Sequence, residues 1–337
     1  MLTYHAYAAP AAKAPLAPFS FDPGPLGPEE VEIKVAYCGL CHSDLSMLDN
    51  EWGMTTYPFV PGHEVGGTVS ALGEEAKGLT LGQRVGLGWF SHSCLACRQC
   101  LSGHQNLCPT VQGTIMGRHG GFADRVRAQW PWVRPIPQAL DLAQVGPLLC
   151  GGATVFAPFL IHQVPPTARV GIIGIGGLGH MALQFANKWG CKVHAFTTSD
   201  GKEAEARKLG AHHVHNTKRD GALKGLTGSL DLIISTVNAG LDVPGLLDAL
   251  APNGRLHNVG AVLKPLEVPA FSLILGQKSV AGSPTGSPTA IDEMLEFSAR
   301  HSVAPITERL PMAKVNDAFE RLRSGKARYR LVLENEP

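Results

Sequence analysis

Charge is scarce in this sequence. Asp, Glu, Lys and Arg make up 17% of the 337 residues, and the formal net charge is +1. That leaves no concentrated positive field to engage phosphates, so a nucleic-acid partner is not expected. A long disordered chain is excluded for the same reason, since the apolar fraction of 44% can bury a full core. Residues 1–10 have no basic start and no long apolar run, so no secretory leader is expected and a cytoplasmic location is the default. Two long uncharged stretches, 142–168 and 170–187, are broken by prolines and glycines. Both read as buried turns and strands, not as membrane spans of ~20 apolar residues.

What is present points to two domains, at roughly 150 residues each. The first 150 residues are rich in glycine and proline turns, with a half-buried strand predicted by the alternation at 31–37 and short apolar runs at 65–69 and 84–87. The texture changes near Cys150. Strands at 170–173, 192–196, 230–235, 255–259 and 279–281 alternate with helices at 182–189 and 202–209, the pattern of βαβ units in a parallel sheet. Gly190 and Gly210 stand where those helices should stop. The tail, with helices at 290–300 and 312–324 and a strand at 329–333, has a different character again.

Eight cysteines occur, four of them as Cys94-x2-Cys97-x2-Cys100-x7-Cys108. In a long chain without a leader such spacing favours metal over disulfides. Four thiolates there can wrap one structural zinc; free thiols or an iron–sulfur site are the alternatives. Cys41, His63 and Cys150 form a more dispersed set. Two thiolates and one imidazole leave a fourth zinc position open, as catalytic sites do, but spacing alone leaves each equally readable as an ordinary buried residue.

Gly174-x-Gly176-x-x-Gly179 follows the 170–173 strand and opens a helix. With Gly177 and Leu178, this loop can take a dinucleotide pyrophosphate at the helix N-terminus. NAD sites place an acid at the tip of the next strand. Here that strand ends at Thr197, and Asp200 reads as a helix N-cap with Glu203 completing a capping box. Thr198, Ser199 and Lys202 can instead receive a 2′-phosphate, so NADP(H) is expected over NAD. His212, His213 and His215 lie in a helix-to-strand turn and read as solvated surface.

Taken together, the segments CGLCHSD (38–44), YPFVPGHEVG (57–66), the four-cysteine loop, PLLCGGAT (147–154), GIIGIGGLG (171–179) and GKARYRLV (325–332) resemble the medium-chain zinc alcohol dehydrogenases, nearest their cinnamyl-alcohol-dehydrogenase-like branch. The resemblance spans the chain. It implies an α/β protein with an irregular β, GroES-like catalytic domain, residues 1–151 and 286–337, and a doubly wound Rossmann domain, residues 152–285. It implies two zinc ions: a catalytic one on Cys41, His63 and Cys150, and a structural one on the four-cysteine loop. Glu64 matches a near-zinc glutamate, Asp44 the carboxylate orienting the histidine, Ser43 the proton-relay hydroxyl, and His42 and Arg330 cations for the pyrophosphate. Val259, Ala261 and Ser283 are expected beside the nicotinamide. Cys38 matches no ligand, and Cys191 is expected to be buried.

The implied activity is NADPH-dependent reduction of aldehydes to alcohols, and the reverse, by a cytosolic homodimer paired through the 279–281 edge strand. Many relatives carry a histidine three residues after the relay hydroxyl; this chain has Ser46. Trp52, Trp89 and Phe90 are the expected pocket residues, with Phe122 nearby, favouring apolar and aromatic aldehydes. A polyol or sugar dehydrogenase of the same superfamily and a non-catalytic NADPH sensor are the alternatives.

Overall fold

A computed structural model describes residues 2–219 and 221–335. The chain divides into two compact units, Met1–Cys150 with Gly286–Pro337, and Gly151–Thr285.

The first unit is built on a seven-stranded sheet. Its order is Thr307–Pro311, Arg330–Glu334, Glu30–Leu40, Glu64–Leu72, Arg84–Leu87 and Val133–Pro135, with Arg125–Gln129 also paired to Glu30–Leu40. The central strand outruns the alternating 31–37 pattern because Cys38, Gly39 and Leu40 are all buried, and a strand covered on both faces loses its alternation. The tail strand pairs antiparallel with it, Val332 opposite Gly39. Val31, Ile33, Val65, Val85, Phe122, Trp132 and Leu333 form the core beneath.

The second unit is a six-stranded parallel sheet. Its order is His213–Asn216, Lys192–Thr197, Arg169–Ile173, Leu230–Ser235, Leu250–Asn258 and Ser279–Gly282. In chain order that is 3-2-1-4-5-6, the Rossmann topology, whose switch point lies between the first and fourth strands. Val170, Ile172, Val193, Ala195, Ile233 and Ile234 fill its centre. The helix Gly179–Trp189 lays Ala182, Phe185 and Ala186 inward and stops at Gly190, whose φ of 105° belongs to the left-handed region.

Three local expectations are corrected. Residues 142–161 are helical, not turns and strands: Leu142–Pro147 and Ala153–Ile161 flank a wide turn, Leu148–Gly152. Although this run is long and apolar enough to cross a membrane, 83% of its apolar window is buried in protein. Buried amides need internal partners, and a helix supplies them despite Pro147 and Pro158. The 202–209 helix is shorter, Glu203–Lys208, and follows a 3-10 turn at Asp200–Lys202. Its proposed Asp200 cap rests on a side chain outside the described residues. Finally, His213 and His215 are strand residues, not turn residues, and their rings stack on His194 at 4.6 and 5.3 Å. Only His212 and His213 are exposed.

Candidate metal centre and nucleotide crevice

Cys41 ends the central strand's connection and immediately precedes the helix His42–Leu48. His63 and Glu64 stand at the start of Glu64–Leu72, and Cys150 lies in the wide turn of the helical run. Their ligand atoms all lie within 4.8 Å of one another, and all four residues are buried. His63 Nε2 is 3.3 Å from Cys150 Sγ.

Asp44 organises this cluster from behind. It is fully buried and accepts from three donors: Cys41 N–H at 2.9 Å, Gly62 N–H at 2.8 Å and His63 Nδ1 at 3.0 Å. Holding the Nδ1 proton fixes the tautomer and turns the Nε2 lone pair toward the sulfurs. The hydrogen bond from Cys150 drives the Cys41 thiol well below its ordinary range against the cost of burial, with Arg330 and His63 adding to it. Thiolate is the metal-binding form. Two sulfurs and one imidazole nitrogen suit zinc. Glu64 Oε1 is paired with the buried Arg330 guanidinium, while Glu64 Oε2 and Arg330 Nε have no partner among the described residues. Ser43 is half-buried in the first helical turn and His42 is exposed. Ser46 donates to Glu51 at 2.7 Å.

Trp89 packs edge-on to His63 with ring centroids 4.8 Å apart, and Trp52 packs on Trp89 at 6.0 Å. Phe90 does not join them. Its ring lies in the core against Trp132 at 5.4 Å, because successive residues of an extended chain face opposite ways. Phe122 is also core, against Phe319.

The four sulfurs of Cys94, Cys97, Cys100 and Cys108 likewise fall within 4.8 Å of one another. The loop holds them with two short turns, Arg98–Leu101 and Gln105–Leu107. Backbone N–H groups point at sulfur, from Cys97 to Cys94 at 3.3 Å and from Cys94 to Cys108 at 3.5 Å. Burial would push the Cys108 thiol up; the Cys94 amide and Thr110 outweigh it and bring it down to about 6. This donor set fits a closed tetrahedral zinc site. Cys38 and Cys191 are buried outside both clusters, and burial raises both thiols.

In the second unit the glycine loop separates two requirements. A Cβ on Gly179 would lie 1.7 Å from Gly174 O, and one on Gly174, at φ 87°, would lie 2.5 Å from Val237. Those glycines serve the turn itself. A Cβ on Gly176 would meet nothing within 4 Å; it faces a cavity of about 900 Å³. The cavity is lined by Gly174, Gly176, Thr197, Thr198 and Lys202. Lys202 Nζ donates to Ile175 O at 2.9 Å. Ser199 N–H donates to Thr197 Oγ1 at 3.2 Å. Gly177 and Leu178 lead into the helix. Val259 N–H donates to Ser235 O at 2.9 Å, Ala261 is exposed, and Ser283 is half-buried just beyond the edge strand.

Sequence reasoning missed several residues here. Lys218 and Arg219 line the same cavity as Lys202; a basic pair just past the third strand is the available signal. His180 is fully buried and bonds Gly176 O at 3.0 Å, and Thr236 donates to Ile173 O at 2.8 Å, so both pin the glycine loop.

Residues 27–138 match the alcohol dehydrogenase GroES-like domain family, and residues 177–300 match the zinc-binding dehydrogenase family. The chain is 52% identical to an aldehyde reductase of Synechocystis sp. over 330 residues, 98% of each chain. It is 41% identical to a mannitol dehydrogenase of Petroselinum crispum, over 95% of this chain and 97% of the other. Among solved structures it is similar to CAD from Helicobacter pylori complexed with NADP(H). That similarity has a TM-score of 0.91, 30% identity, and coverage of 99% and 98% of the two chains.

Proposed function

The chain belongs to the medium-chain zinc alcohol dehydrogenases, a family of oxidoreductases, and on that premise we propose that it reduces a broad range of aldehydes to primary alcohols with NADPH. The observation that carries the reading is the buried Cys41–His63–Cys150 set with Asp44 behind its histidine. We assign the catalytic zinc to those three residues and a structural zinc to Cys94, Cys97, Cys100 and Cys108. When bound, zinc supplies a Lewis acid for the carbonyl oxygen and NADPH supplies the hydride.

The protein's own groups do the rest. Asp44 keeps His63 in one tautomer and orientation. Ser43 gives its hydroxyl proton to the product oxygen. Ser46, standing where many relatives carry a histidine, donates its hydroxyl proton to Glu51 at 2.7 Å. Arg330 is buried against Glu64, which it neutralises, so of the two cations expected at the pyrophosphate only His42 is exposed. Trp52 and Trp89 offer an apolar wall that suits aromatic rings and sheds water.

Thr198 and Lys202, joined by Lys218 and Arg219, supply donors for a 2′-phosphate. Initial rates with one aromatic aldehyde, at equal NADPH and NADH, are expected to favour NADPH strongly. Lys202→Ala should cut that preference by about tenfold or more, the worth of one charge-assisted hydrogen bond. Equal rates with both cofactors in the unaltered enzyme would remove the phosphate-pocket assignment.

The mannitol dehydrogenase relative favours a second reading, oxidation of polyols. The tryptophan pair beside His63 argues against it, since a polyol needs polar partners. Turnover of mannitol faster than of benzyl alcohol would reverse this order.

We also propose a homodimer formed at the edge strand Ser279–Gly282. That edge has no pairing partner among the described residues, and Phe271, Ile274 and Leu275 beside it are 74%, 67% and 83% exposed. An open strand edge flanked by apolar surface is a template for a second copy. Sedimentation should give twice the chain mass, and Leu275→Asp with Phe271→Asp should give the monomer. A monomeric unaltered protein would sink the proposal.

A further inference from the structure

His257 sits inside the second unit, one residue before the end of the strand Leu250–Asn258, and is fully buried. Both its ring nitrogens are engaged. Nδ1 lies 2.8 Å from His162 Nε2, and Nε2 lies 2.9 Å from Ser283 Oγ. The two imidazoles meet edge to face, with centroids 5.0 Å apart. His162, half-buried, closes the helix Ala153–Ile161, and its carbonyl accepts from Arg255 at 3.1 Å. Ser283 follows the edge strand, whose Ala281 is the register partner of His257. A three-member chain therefore runs from the end of one helix, through the sheet, to the carboxyl end of the edge strand.

An aliphatic side chain would serve the core at this position without the cost of burying polar nitrogens. The imidazole instead fixes something. Burial first, and then His162, hold His257 down to about 4, so it is neutral, with one donor and one acceptor nitrogen that His162 and Ser283 can both satisfy. Ligands of open parallel sheets bind outside the carboxyl ends of the strands. At those ends, on the two neighbouring strands, Ser235 Oγ and Asn258 Oδ1 are buried without partners among the described residues. Such orphaned polar atoms are expected where a ligand supplies the missing bond.

We infer that His257 is a positioning residue for the nicotinamide end of the cofactor: oriented by His162, it holds the Ser283 hydroxyl and so sets the chain at the carboxyl end of the edge strand. This rests on the reading that NADPH is the cofactor. His257 touches no reacting atom; it acts through Ser283.

Two near-isosteric variants separate its two bonds. Gln reaches the Nε2 position and keeps Ser283, whereas Asn reaches only the Nδ1 position and keeps His162. His257→Asn should raise the KM for NADPH about tenfold, the scale of one lost hydrogen bond, with a smaller change in kcat. His257→Gln should stay within about threefold of the unaltered enzyme. Inhibition by adenosine 2′,5′-bisphosphate, which lacks the nicotinamide, should be unchanged in both. Ser283→Ala should reproduce the Asn phenotype, and it serves as the test if the Asn variant does not fold. Equal effects of Asn and Gln, or bisphosphate inhibition weakening in step with the NADPH KM, would reduce His257 to a packing role and overturn the inference. If neither NADPH nor the bisphosphate binds the unaltered protein, the cofactor reading itself falls and takes the inference with it.

Discussion

Replacing Cys150 with serine should lower kcat/KM for aldehyde reduction by about 10³-fold or more, with the protein still folded. Cys150 Sγ is one of only two sulfurs in the buried cluster and lies 3.3 Å from His63 Nε2. Serine is of similar size, so packing changes little. Its hydroxyl, however, is a far poorer zinc ligand than a thiolate, and losing one of three ligands removes the Lewis acid from the reaction. A 10³-fold loss corresponds to roughly 4 kcal/mol of transition-state stabilisation. Two comparisons give the result its meaning. Asp44→Asn removes only the group behind His63 and should cost about 10–100-fold. Cys38→Ala, in the same sequence motif and equally buried but outside the cluster, should keep activity. Steady-state rates with melting curves decide the matter. Activity within tenfold in the Cys150→Ser enzyme, or a collapse in Cys38→Ala without loss of stability, would refute the ligand assignment.

The second large effect is on stability. Cys100→Ser should lower the melting temperature by about 10 °C, and metal analysis should show one zinc per chain instead of two. Structural zinc contributes folding free energy directly, on the order of 10–16 kcal/mol in small finger peptides. In a unit of this size part of that is retained by the surrounding fold. A loss of about 3 kcal/mol, at 2–4 °C per kcal/mol, gives the stated shift. The physical case rests on the loop itself. Residues 94–108 contain only two short turns, and Leu101 and Leu107 are exposed, so little apolar burial is available to order it. The surviving folded fraction should keep its turnover, because this cluster is separate from the one holding His63. An unchanged melting temperature with two bound zinc ions would exclude the structural role. Lost turnover at full stability would mean that the two clusters are coupled.

Some of this was legible in the sequence and some was not, for identifiable reasons. The 84–87 and 230–235 strands, and the helix stops at Gly190 and Gly210, match the structure because periodicity and left-handed glycine are local properties. The four-cysteine loop was readable because residues a few positions apart cannot be far apart in space. Cys41, His63 and Cys150 were each weak alone; the family resemblance, not their spacing, singled them out. The error at 142–161 came from weighing proline as a breaker where burial leaves a helix as the way to pair the amides. Phe90 lies in the core and not beside Trp89 at the site, because adjacent aromatics look equivalent in a sequence and are opposed on an extended chain.

By itself, then, the sequence determined the chemical inventory and the short-range devices: thiolates at metal spacing, a glycine loop after a strand, and alternating strands and helices. Each depends on side-chain identity and on chain geometry over a few residues. Only the tertiary structure decided which inventory members meet. Antiparallel pairing of the tail places Arg330 on Glu64, 266 residues away. Parallel register sets Ser283 beside His257, and the end of a distant helix brings in His162. Those contacts follow from sheet register and the closure of long loops, which are settled by the burial of the whole core and carry no local signature.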